Sequence, residues 1–478
     1  MTRGVFVDEV LYFNTSYSNS FTSILTLGAV IKDHGILYLL ILKLLTYFTT
    51  KIELLRLTNL LLYLAEVFLL FRFFQNFRKS LLSLFFVFLI SFFPYFVLTN
   101  TYVSPYNLVF FLTTAAFISI SNFILFSKTR KERLYNSVLF LITSSLAFYA
   151  DYSVIYFYIT LIPVVFFVYL WYENQAENLT LLGLANLILI SPGLCLISKN
   201  FSSLQSTNLN ATPNMNFFVF FGQFSDTLLI SLSGYLSSVI VVLSLISVFV
   251  LMLKSSNKSI KYLTFFALSG ILCGILFLHI FNNSYFNVFT ERTFWYFYFL
   301  LFLVLYSLMY HFSDTNKKYL AVLMAISLIF LSLKYFQPYE GVFGKNIGYG
   351  KLTDQLINNP NYKGNVSILF YDRNYYYVPF QEYYFLGLNE LDKNKASSIK
   401  KYFSNKRINI LNNYALVNHI NVHKNSKLIV IFLDQDQIAF GQLKKFIILY
   451  EKHNNVTVKN YFYIMNCNDG SCAFVYST

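Results

Sequence analysis

Residues 33–57 read DHGILYLLILKLLTYFTTKIELLRL, and they mark the change from a polar N-terminal segment to a chain built of apolar runs. The run 36–48 follows Asp33 and His34 and contains one charged residue, Lys43. It is shorter than the roughly 20 residues that a membrane-spanning helix needs. We therefore predict a juxtamembrane helix on the bilayer surface, with the Lys43 side chain reaching water. The first spanning helix is predicted to begin near Leu54.

The composition of the whole chain is that of a multi-pass membrane protein. Of its 478 residues, 56% are hydrophobic and only 12% are charged, whereas soluble domains carry about 25% charged residues. The net charge of +14 does not indicate nucleic-acid binding, because Lys and Arg are concentrated in short connections between apolar runs, as membrane orientation requires. The lipid bilayer is thus an expected partner, and nucleic acid is not.

About ten apolar runs have a length suited to transmembrane helices. The predicted spans cover residues 54–75, 80–98, 106–126, 136–150, 153–171, 179–198, 226–253, 262–281, 293–312 and 319–336. The two runs between 136 and 171 are short and could form one tilted helix, but Asp151 between them favours a break at a membrane surface. Residues 199–225 are polar and are predicted to form a long external loop, either a lid over a site or a solvated link.

The basic residues fall unevenly on the two sides of this predicted bundle, twelve on one side and three on the other. The larger set contains Arg72, Arg78, Lys79, Lys128, Arg130, Lys131, Arg133, Lys254, Lys258, Lys261, Lys317 and Lys318, and the smaller set contains Lys199, Arg292 and Lys334. The positive-inside rule places the larger set in the cytosol. Residues 1–53 and those after 336 are then expected outside the cytosol, on a cell membrane. An external N-terminus predicts that a first helix is missing upstream.

The last part of the chain is predicted to form a small extracytoplasmic α/β domain. Two buried strands are predicted at 366–371 and 428–433. Helices are predicted at 397–403 and 437–452. A closing hairpin is predicted from 456–465 and 473–476. No Gly-rich phosphate loop, Ser/His/Asp set or metal-ligand spacing occurs in this part of the sequence. The predicted domains are thus a first loop at 1–53, an all-α membrane domain at 54–336, and the α/β domain at 337–478.

The order of short motifs in the N-terminal part resembles that of the GT-C glycosyltransferases. Asp8-Glu9 is followed by Asp33-His34-Gly35-Ile36-Leu37-Tyr38 and then by Leu55-Arg56-Leu57 at the start of a span. The resemblance is to the branch that contains protein O-mannosyltransferases and the lipid A aminoarabinose transferase. Those enzymes have an acidic pair after a first helix, a His-Pro-Pro-Leu-like segment that opens a juxtamembrane helix, and a Leu-Arg before the next span.

The resemblance extends to Ala150-Asp151-Tyr152, at a turn between helices, and to Glu291-Arg292, near the start of a late helix. It departs at Gly35 and Ile36, where relatives have two prolines, so the turn is expected to be less rigid. It departs again at residues 100–106, which carry no acidic residue. The role of a second carboxylate is then unfilled, which leaves metal dependence open.

The resemblance implies transfer of a sugar from a polyprenyl-phosphate donor to a hydroxyl of a glycan, lipid or protein acceptor, outside the cytosol and with inversion. Asp8 is the expected general base, and Glu9 is expected to orient the acceptor or hold a cation. Arg292 has the bidentate donors that suit the departing phosphate. Arg56 is a weaker candidate for the same role.

Three further sets of residues complete the expected site. Asp33 and His34 are expected to bind substrate and could help to hold a divalent metal ion, although one His and scattered carboxylates do not define a metal site. Asp151 is expected either to contact substrate or to cap the helix that begins at Ser153. Tyr152 is expected to contact substrate or to serve as an interfacial aromatic anchor.

Each of these residues also has an ordinary structural interpretation, and two other functions stay open. Adjacent carboxylates in a loop are commonly just solvated, and Arg292 beside Glu291 could be a surface ion pair worth little energy. A transporter or flippase of lipid-linked glycans would carry charges near the middle of the membrane, whereas these spans are nearly free of charge. A polymerase or ligase of surface glycans would use the same donors with another acceptor.

Overall fold

The computed structural model describes the membrane part of the chain most fully. The described residues are 12–13, 15–16, 19–25, 35–49, 52–77, 80–93, 96–97, 103–171, 173–205, 217–228, 238–239, 241–243, 245–246, 249–250, 253, 257–282, 294–336, 365–371, 408–412, 426–432, 448, 452, 460–463 and 472–477. The chain divides into two compact units. One consists of residues 15–46 and 56–342, and the other of residues 343–478 with two short N-terminal segments. The domain boundaries expected at residues 53 and 336 stay predictions.

The first unit consists of helices. In chain order they are α1 (Phe21–Leu25), α2 (Ile36–Thr46), α3 (Ile52–Gln75), α4 (Ser80–Ser91), α5 (Pro105–Leu125), α6 (Arg130–Ala150), α7 (Ile155–Trp171), α8 (Glu173–Gln205), α9 (Phe217–Leu228), α10 (Lys258–Asn282), α11 (Phe294–Thr315) and α12 (Lys317–Phe336). A short 3-10 helix, Tyr152–Val154, lies between α6 and α7. The helix α2 has only 11 residues, which agrees with the predicted short juxtamembrane helix.

Six of the helices within the described ranges are long and apolar enough to cross a membrane, which makes this a multi-pass membrane protein. They cover Leu54–Gln75, Pro105–Leu125, Tyr152–Leu170, Glu177–Cys195, Lys258–Ile280 and Trp295–Ser313. The expected count of about ten spans is not confirmed. The run predicted at 80–98 forms a helix of only 12 residues in α4, and α6 begins with the charged sequence RKER.

The chain breaks where the sequence predicts a break, and forms a helix where a loop is expected. Asp151 has an extended backbone between α6 and the 3-10 helix, so residues 136–171 do not form one continuous helix. By contrast, the predicted loop 199–225 is wrong at both ends, since α8 continues to Gln205 and α9 begins at Phe217. The polar composition of the loop hid the apolar sequence FFVFF at the start of α9.

Two spanning helices, α3 and α5, run in the same direction. The Asn107 side chain of α5 donates to the carbonyl of Asn59 in α3, and seven residues further along both helices Thr114 donates to Glu66 over 3.0 Å. The separation in sequence is 48 residues in both pairs. A constant separation is possible only for parallel helices, so the first turns of α3 and α5 lie at the same end of the unit.

Aromatic side chains fill the space between α3, α4 and α11. Phe74 lies 4.6 Å from Phe86 and 4.4 Å from Tyr306, measured between ring centroids, and all three are buried. The Phe74–Phe86 pair is edge-to-face, and a pair of this kind contributes about 0.5–1.5 kcal/mol beyond the burial of its area. The abundance of aromatic residues in the sequence therefore has a packing role in this part of the core.

The second unit contains a five-stranded sheet with strands β1 (Asn365–Tyr371), β2 (Ile408–Asn412), β3 (Ser426–Phe432), β4 (Asn460–Tyr463) and β5 (Cys472–Ser477). The strand order is β2-β1-β3-β5-β4, in which β1 pairs in parallel with β2 and β3, while β5 is antiparallel to both β3 and β4. The predicted strands and hairpin agree with this sheet, and β2 was missed. The helices predicted at 397–403 and 437–452 lie outside the described residues, apart from two single positions.

The N-terminus of α6 has a capping box that gives a direct test of the local fold. Thr129 accepts a hydrogen bond from the backbone N–H of Glu132, and the Glu132 carboxylate accepts from the backbone N–H of Thr129. The backbone N–H groups of Lys128 and Thr129 both donate to the Glu132 carboxylate, and these two bonds lower its pKa. A lowered pKa means that the stabilisation is present above the pKa of the unfolded chain and is lost as pH falls through the folded value.

We expect Thr129→Ala to lower the free energy of unfolding by about 1 kcal/mol, because an N-cap is lost. We expect Thr129→Ser, which keeps the hydroxyl, to change it little. Thermal unfolding in detergent between neutral and acidic pH measures both effects. Glu132→Gln should keep the box and lose the acid dependence that the wild type shows. An unchanged unfolding temperature for Thr129→Ala would contradict the capping role.

Candidate functional site

Asp151 occupies the turn between α6 and α7, and its carboxylate caps the 3-10 helix. The side chain accepts from the backbone N–H of Ser153 at 2.7 Å, and the backbone N–H of Asp151 donates to the carbonyl of Ala147 at 3.0 Å. Only 3% of Asp151 is exposed. The capping role expected from the sequence is thus present. A contact of Asp151 with substrate stays a prediction.

Gly35 brings the segment that follows Asp33 and His34 against this same turn. A Cβ atom at Gly35 would lie 2.1 Å from the carbonyl oxygen of Tyr149 and 2.8 Å from the carbonyl carbon of Ala150. Those atoms belong to the backbone at the end of α6 and cannot rotate away. The close approach of α2 to α6 therefore requires glycine at position 35. The resemblance in sequence predicts only that the turn is less rigid than one with proline.

A polar network fixes the end of α6 to its neighbours. Asn186 of α8 donates to the hydroxyl of Ser144 at 2.7 Å and accepts from the hydroxyl of Ser145 at 3.2 Å. The phenol of Tyr158 in α7 donates to the carbonyl of Ser144 at 2.8 Å. Polar groups in a membrane need partners within the protein. This network supplies them and joins α6, α7 and α8 about two turns before Asp151.

Pro192 lies inside α8, near another contact of the same region. Pro192 has no N–H for the carbonyl of Ile188, which instead accepts from the Ser191 hydroxyl at 2.8 Å. One residue further, the carbonyl of Leu189 accepts from the phenol of Tyr149 at 2.9 Å. Tyr149, whose own carbonyl faces Gly35, thus donates to the backbone of α8 near Pro192.

The first turns of α11 lie against the first turns of α7. The phenol of Tyr296 donates to the hydroxyl of Thr160 at 2.8 Å, and the ring of Phe297 lies 5.9 Å from that of Tyr156. On its other side, α11 contacts the start of α5, where Trp295 lies 5.3 Å from Phe110. The helix start that follows Arg292 in the sequence is therefore close to the helix that follows Asp151.

Arg56 lies in the first part of α3 and is half-buried. One turn later, the carbonyl of Asn59 accepts from the side chain of Asn107, near the start of α5. We call the end of the first unit that contains Gly35, Asn59, Asn107, Asp151 and Trp295 the motif end. This end contains the motif segments around Gly35, Arg56 and Asp151. It also contains the start of α11, the helix that follows Arg292 in the sequence.

Several predicted site residues lie outside the described residues. They are Asp8, Glu9, Asp33, His34 and Arg292, and their roles stay predictions. Tyr152 is described and half-buried, with its ring 5.6 Å from that of Phe148. Among the residues that the structure does describe, no group of three His, Cys, Asp or Glu could hold a metal ion.

Sequence reasoning missed three notable residues. Asn186 stood in an apolar run with no obvious partner, and Glu66 was a single acidic residue in the first span. His279, near the end of α10, lies 5.1 Å from Phe217 and 5.2 Å from Phe220, measured between ring centroids. Polar residues inside membrane spans are costly, so their presence alone could have identified Asn186 and Glu66.

We expect Asp151→Ala to destabilise the protein by about 1 kcal/mol, because the cap is removed. Asp151→Asn should unfold at nearly the wild-type temperature, since an amide oxygen can accept from the Ser153 N–H in the same way. Thermal unfolding in detergent measures both. If Asp151→Asn unfolds normally but loses turnover, the carboxylate charge has the predicted contact with substrate. If it unfolds as early as Asp151→Ala, the capping role is wrong.

Comparison with known proteins gives only a distant likeness. No family model matches the chain, and no curated protein matches it. Two solved structures are similar over nearly the whole length. One is ArnT from Cupriavidus metallidurans bound to undecaprenyl phosphate, with 10% identity, a TM-score of 0.44, and coverage of 99% of this chain and 94% of that one. The other is the same enzyme in the apo state, with 11% identity, a TM-score of 0.40 and the same coverage. Neither likeness is close enough to support a functional argument.

Proposed function

We propose that this chain is a membrane glycosyltransferase that takes a sugar from a polyprenyl-phosphate donor and transfers it to an acceptor hydroxyl outside the cytosol. One observation carries the proposal. Gly35 lies against the end of α6, directly before Asp151. Two of the motifs on which the family resemblance is based, those containing Gly35 and Asp151, are therefore in contact. Asp33 and His34 are joined to Gly35 by two peptide bonds, and Arg292 precedes α11, whose first turns contact α7.

In the proposed reaction, Asp8 accepts the proton of the acceptor hydroxyl as its oxygen attacks the anomeric carbon. The new C–O bond forms from the oxygen lone pair, and the bond to the phosphate oxygen breaks with its electron pair moving to the phosphate. Attack from the face opposite the phosphate inverts the anomeric centre. Glu9 orients the acceptor in this scheme.

The departing phosphate needs positive charge rather than a proton. Arg292 supplies it through two parallel N–H donors, a geometry that matches phosphate oxygens. Arg56, at the start of α3 on the same end of the unit, is the second candidate. A divalent metal ion held with the help of Asp33 and His34 would stabilise the same charge.

Burial at the motif end supports the proposal chemically. Asp151, Asn107 and Trp295 are each at most 3% exposed, so polar groups there act in surroundings of low dielectric. Charge interactions with a phosphate are stronger in such surroundings than in water.

The direct test is turnover of a labelled donor by the purified full-length protein in detergent or nanodiscs. Polyprenyl phosphates that carry different labelled sugars are supplied with mixtures of candidate acceptors, and release of polyprenyl phosphate is measured. We expect release from at least one donor. If a protein sample shows a thermal unfolding transition, and is therefore folded, but releases no polyprenyl phosphate from any donor, the proposal is contradicted.

A transporter or flippase is the second candidate, because one observation favours it. Glu66 lies in the middle of the span Leu54–Gln75, where the sequence was interpreted as nearly free of charge. Ionisable residues at this depth are typical of ion and substrate pathways. Movement of the labelled donor across a liposome membrane without release of polyprenyl phosphate would support transport over transfer.

A further inference from the structure

Glu66 is a carboxyl group inside the membrane part that the proposed reaction does not use. It lies near the middle of α3 and is 1% exposed. Its Oε1 atom accepts from the hydroxyl of Thr114 in α5 at 3.0 Å. Its Oε2 atom is buried and has no hydrogen-bond partner among the described residues. One half of the carboxyl group is therefore satisfied by α5 and the other half is not.

Among the residues that the structure describes on α3 and its neighbouring helices, no cation lies close to Glu66. On α3 itself, Arg56 and Arg72 are ten and six residues away, which is about 15 and 9 Å along the helix axis. Arg72 is exposed at the far end of the helix. The nearest titratable group on α3 is Tyr63, whose phenol donates to the carbonyl of Ser91 in α4.

The side chains of α4, α5 and α11 that contact α3 in the described part of the chain are neutral. The helix α4 contains no titratable residue, and α5 contains only Tyr106. The titratable residue of α11 that reaches α3 is Tyr306, which contacts Phe74 two turns beyond Glu66. An ionised carboxylate in this position would be buried without a counter-charge, at a cost of many kcal/mol, and such groups in practice become neutral.

Polar side chains continue from Glu66 toward both ends of α5. Asn107, Thr114 and Ser121 are spaced seven residues apart, so they lie on one face of the helix. Each is buried and bonds another helix: Asn107 to Asn59, Thr114 to Glu66, and Ser121 to the phenol of Tyr262 over 3.4 Å. The steps are about 10 Å each. Glu66 thus contacts the middle of a row of polar side chains on one face of α5, which we call the polar seam.

We propose that Glu66 and Thr114 form a proton-binding site inside the membrane part. A proton binds the carboxylate at Oε2, because Oε1 accepts from Thr114, and the resulting neutral acid is the form present at neutral pH. Release of the proton to water leaves the carboxylate. This site is independent of the proposed sugar transfer, and its test involves no turnover.

The test is infrared difference spectroscopy of the full-length protein in nanodiscs, with Glu66→Gln as the reference. The amide oxygen of Gln can still accept from Thr114, so this variant is expected to fold. We expect the wild type to show the carbonyl stretch of one additional carboxylic acid at neutral pH. The band should shift in deuterated water and disappear reversibly at high pH. In Thr114→Val the band should move, because the carbonyl loses its donor.

Three results would overturn the proposal. The acid band could be absent at neutral pH, with a carboxylate band in its place, which would make Glu66 ionised. It could be present but unchanged by deuterated water and by pH, which would make it a fixed structural acid. It could disappear at neutral pH when sodium chloride replaces potassium chloride, which would make the site a sodium site. Each outcome is read without any assay of sugar transfer.

Discussion

Replacing Gly35 by alanine is expected to abolish turnover and to destabilise the protein by about 1–3 kcal/mol or more, as overpacking does. The added Cβ would lie 2.1 Å from the carbonyl oxygen of Tyr149 and 2.5 Å from its carbonyl carbon. Because both atoms are backbone at the end of a helix, α2 must move away from α6. Gly35 and the start of α2 would then lose their position against the end of α6, which Asp151 follows.

A matched control lies in α8. A Cβ atom at Gly183 would meet nothing within 4 Å, and alanine favours a helix interior over glycine by about 1 kcal/mol. We therefore expect Gly183→Ala to keep turnover and to unfold at the wild-type temperature or slightly above. Thermal unfolding and donor turnover of both variants, measured side by side, check the expectation. Normal turnover in Gly35→Ala would show that the approach of α2 to α6 has no part in function.

Replacing Asp8 by asparagine is expected to lower turnover by about 10²–10⁴-fold, the contribution of a positioned general base. Asparagine keeps the size of the side chain but cannot accept the proton of the acceptor hydroxyl. Stability and binding of the donor should change little, because the lost function belongs to the attack step. The measurement is the rate of release of polyprenyl phosphate from labelled donor at saturating concentrations.

Glu9→Gln is the control for Asp8→Asn, because it removes the neighbouring carboxylate in the same segment. We expect a smaller loss of turnover from Glu9→Gln, through weaker acceptor binding. If the two variants lose turnover equally, the acidic pair acts together and neither carboxylate is singled out as the base. Equal turnover in Asp8→Asn and the wild type would remove Asp8 from the proposed mechanism.

The features that the sequence predicted well depend on local pattern. The break at Asp151 followed from a carboxylate between two apolar runs, and the short helix α2 followed from the length of its apolar run. The strand β1 was visible as a buried apolar segment. In each case the deciding property lies within a few neighbouring residues, so no knowledge of the packed chain was needed.

The features that were missed depend on residues far apart in the chain. Gly35 looked like a weaker substitute for proline, and only the approach of the α6 backbone shows why no side chain fits. The helix α9 was hidden because its apolar start directly follows a polar stretch. The strand β2, with the sequence INILN, is too short and polar to be distinguished from a loop.

Glu66 is a different kind of omission, because its signal was present. Glu66 is a single acidic residue in a span of 22 residues. A prediction based on the mean apolar character of each span gives such a residue little weight. The partner on α5 could not be predicted, since the parallel pairing of α3 with α5 is a property of the fold. The constant separation of 48 residues becomes meaningful only after the contacts are known.

The proposed reaction requires Asp8, Glu9 and Arg292 to face the same side of the membrane, outside the cytosol. Single cysteines introduced by Asp8→Cys, Arg292→Cys and Lys131→Cys, in a chain whose four native cysteines are replaced, can be treated with a membrane-impermeant maleimide in intact cells. We predict labelling at positions 8 and 292 without permeabilisation, and at position 131 only after it. Labelling of position 8 or position 292 only after permeabilisation would contradict the account.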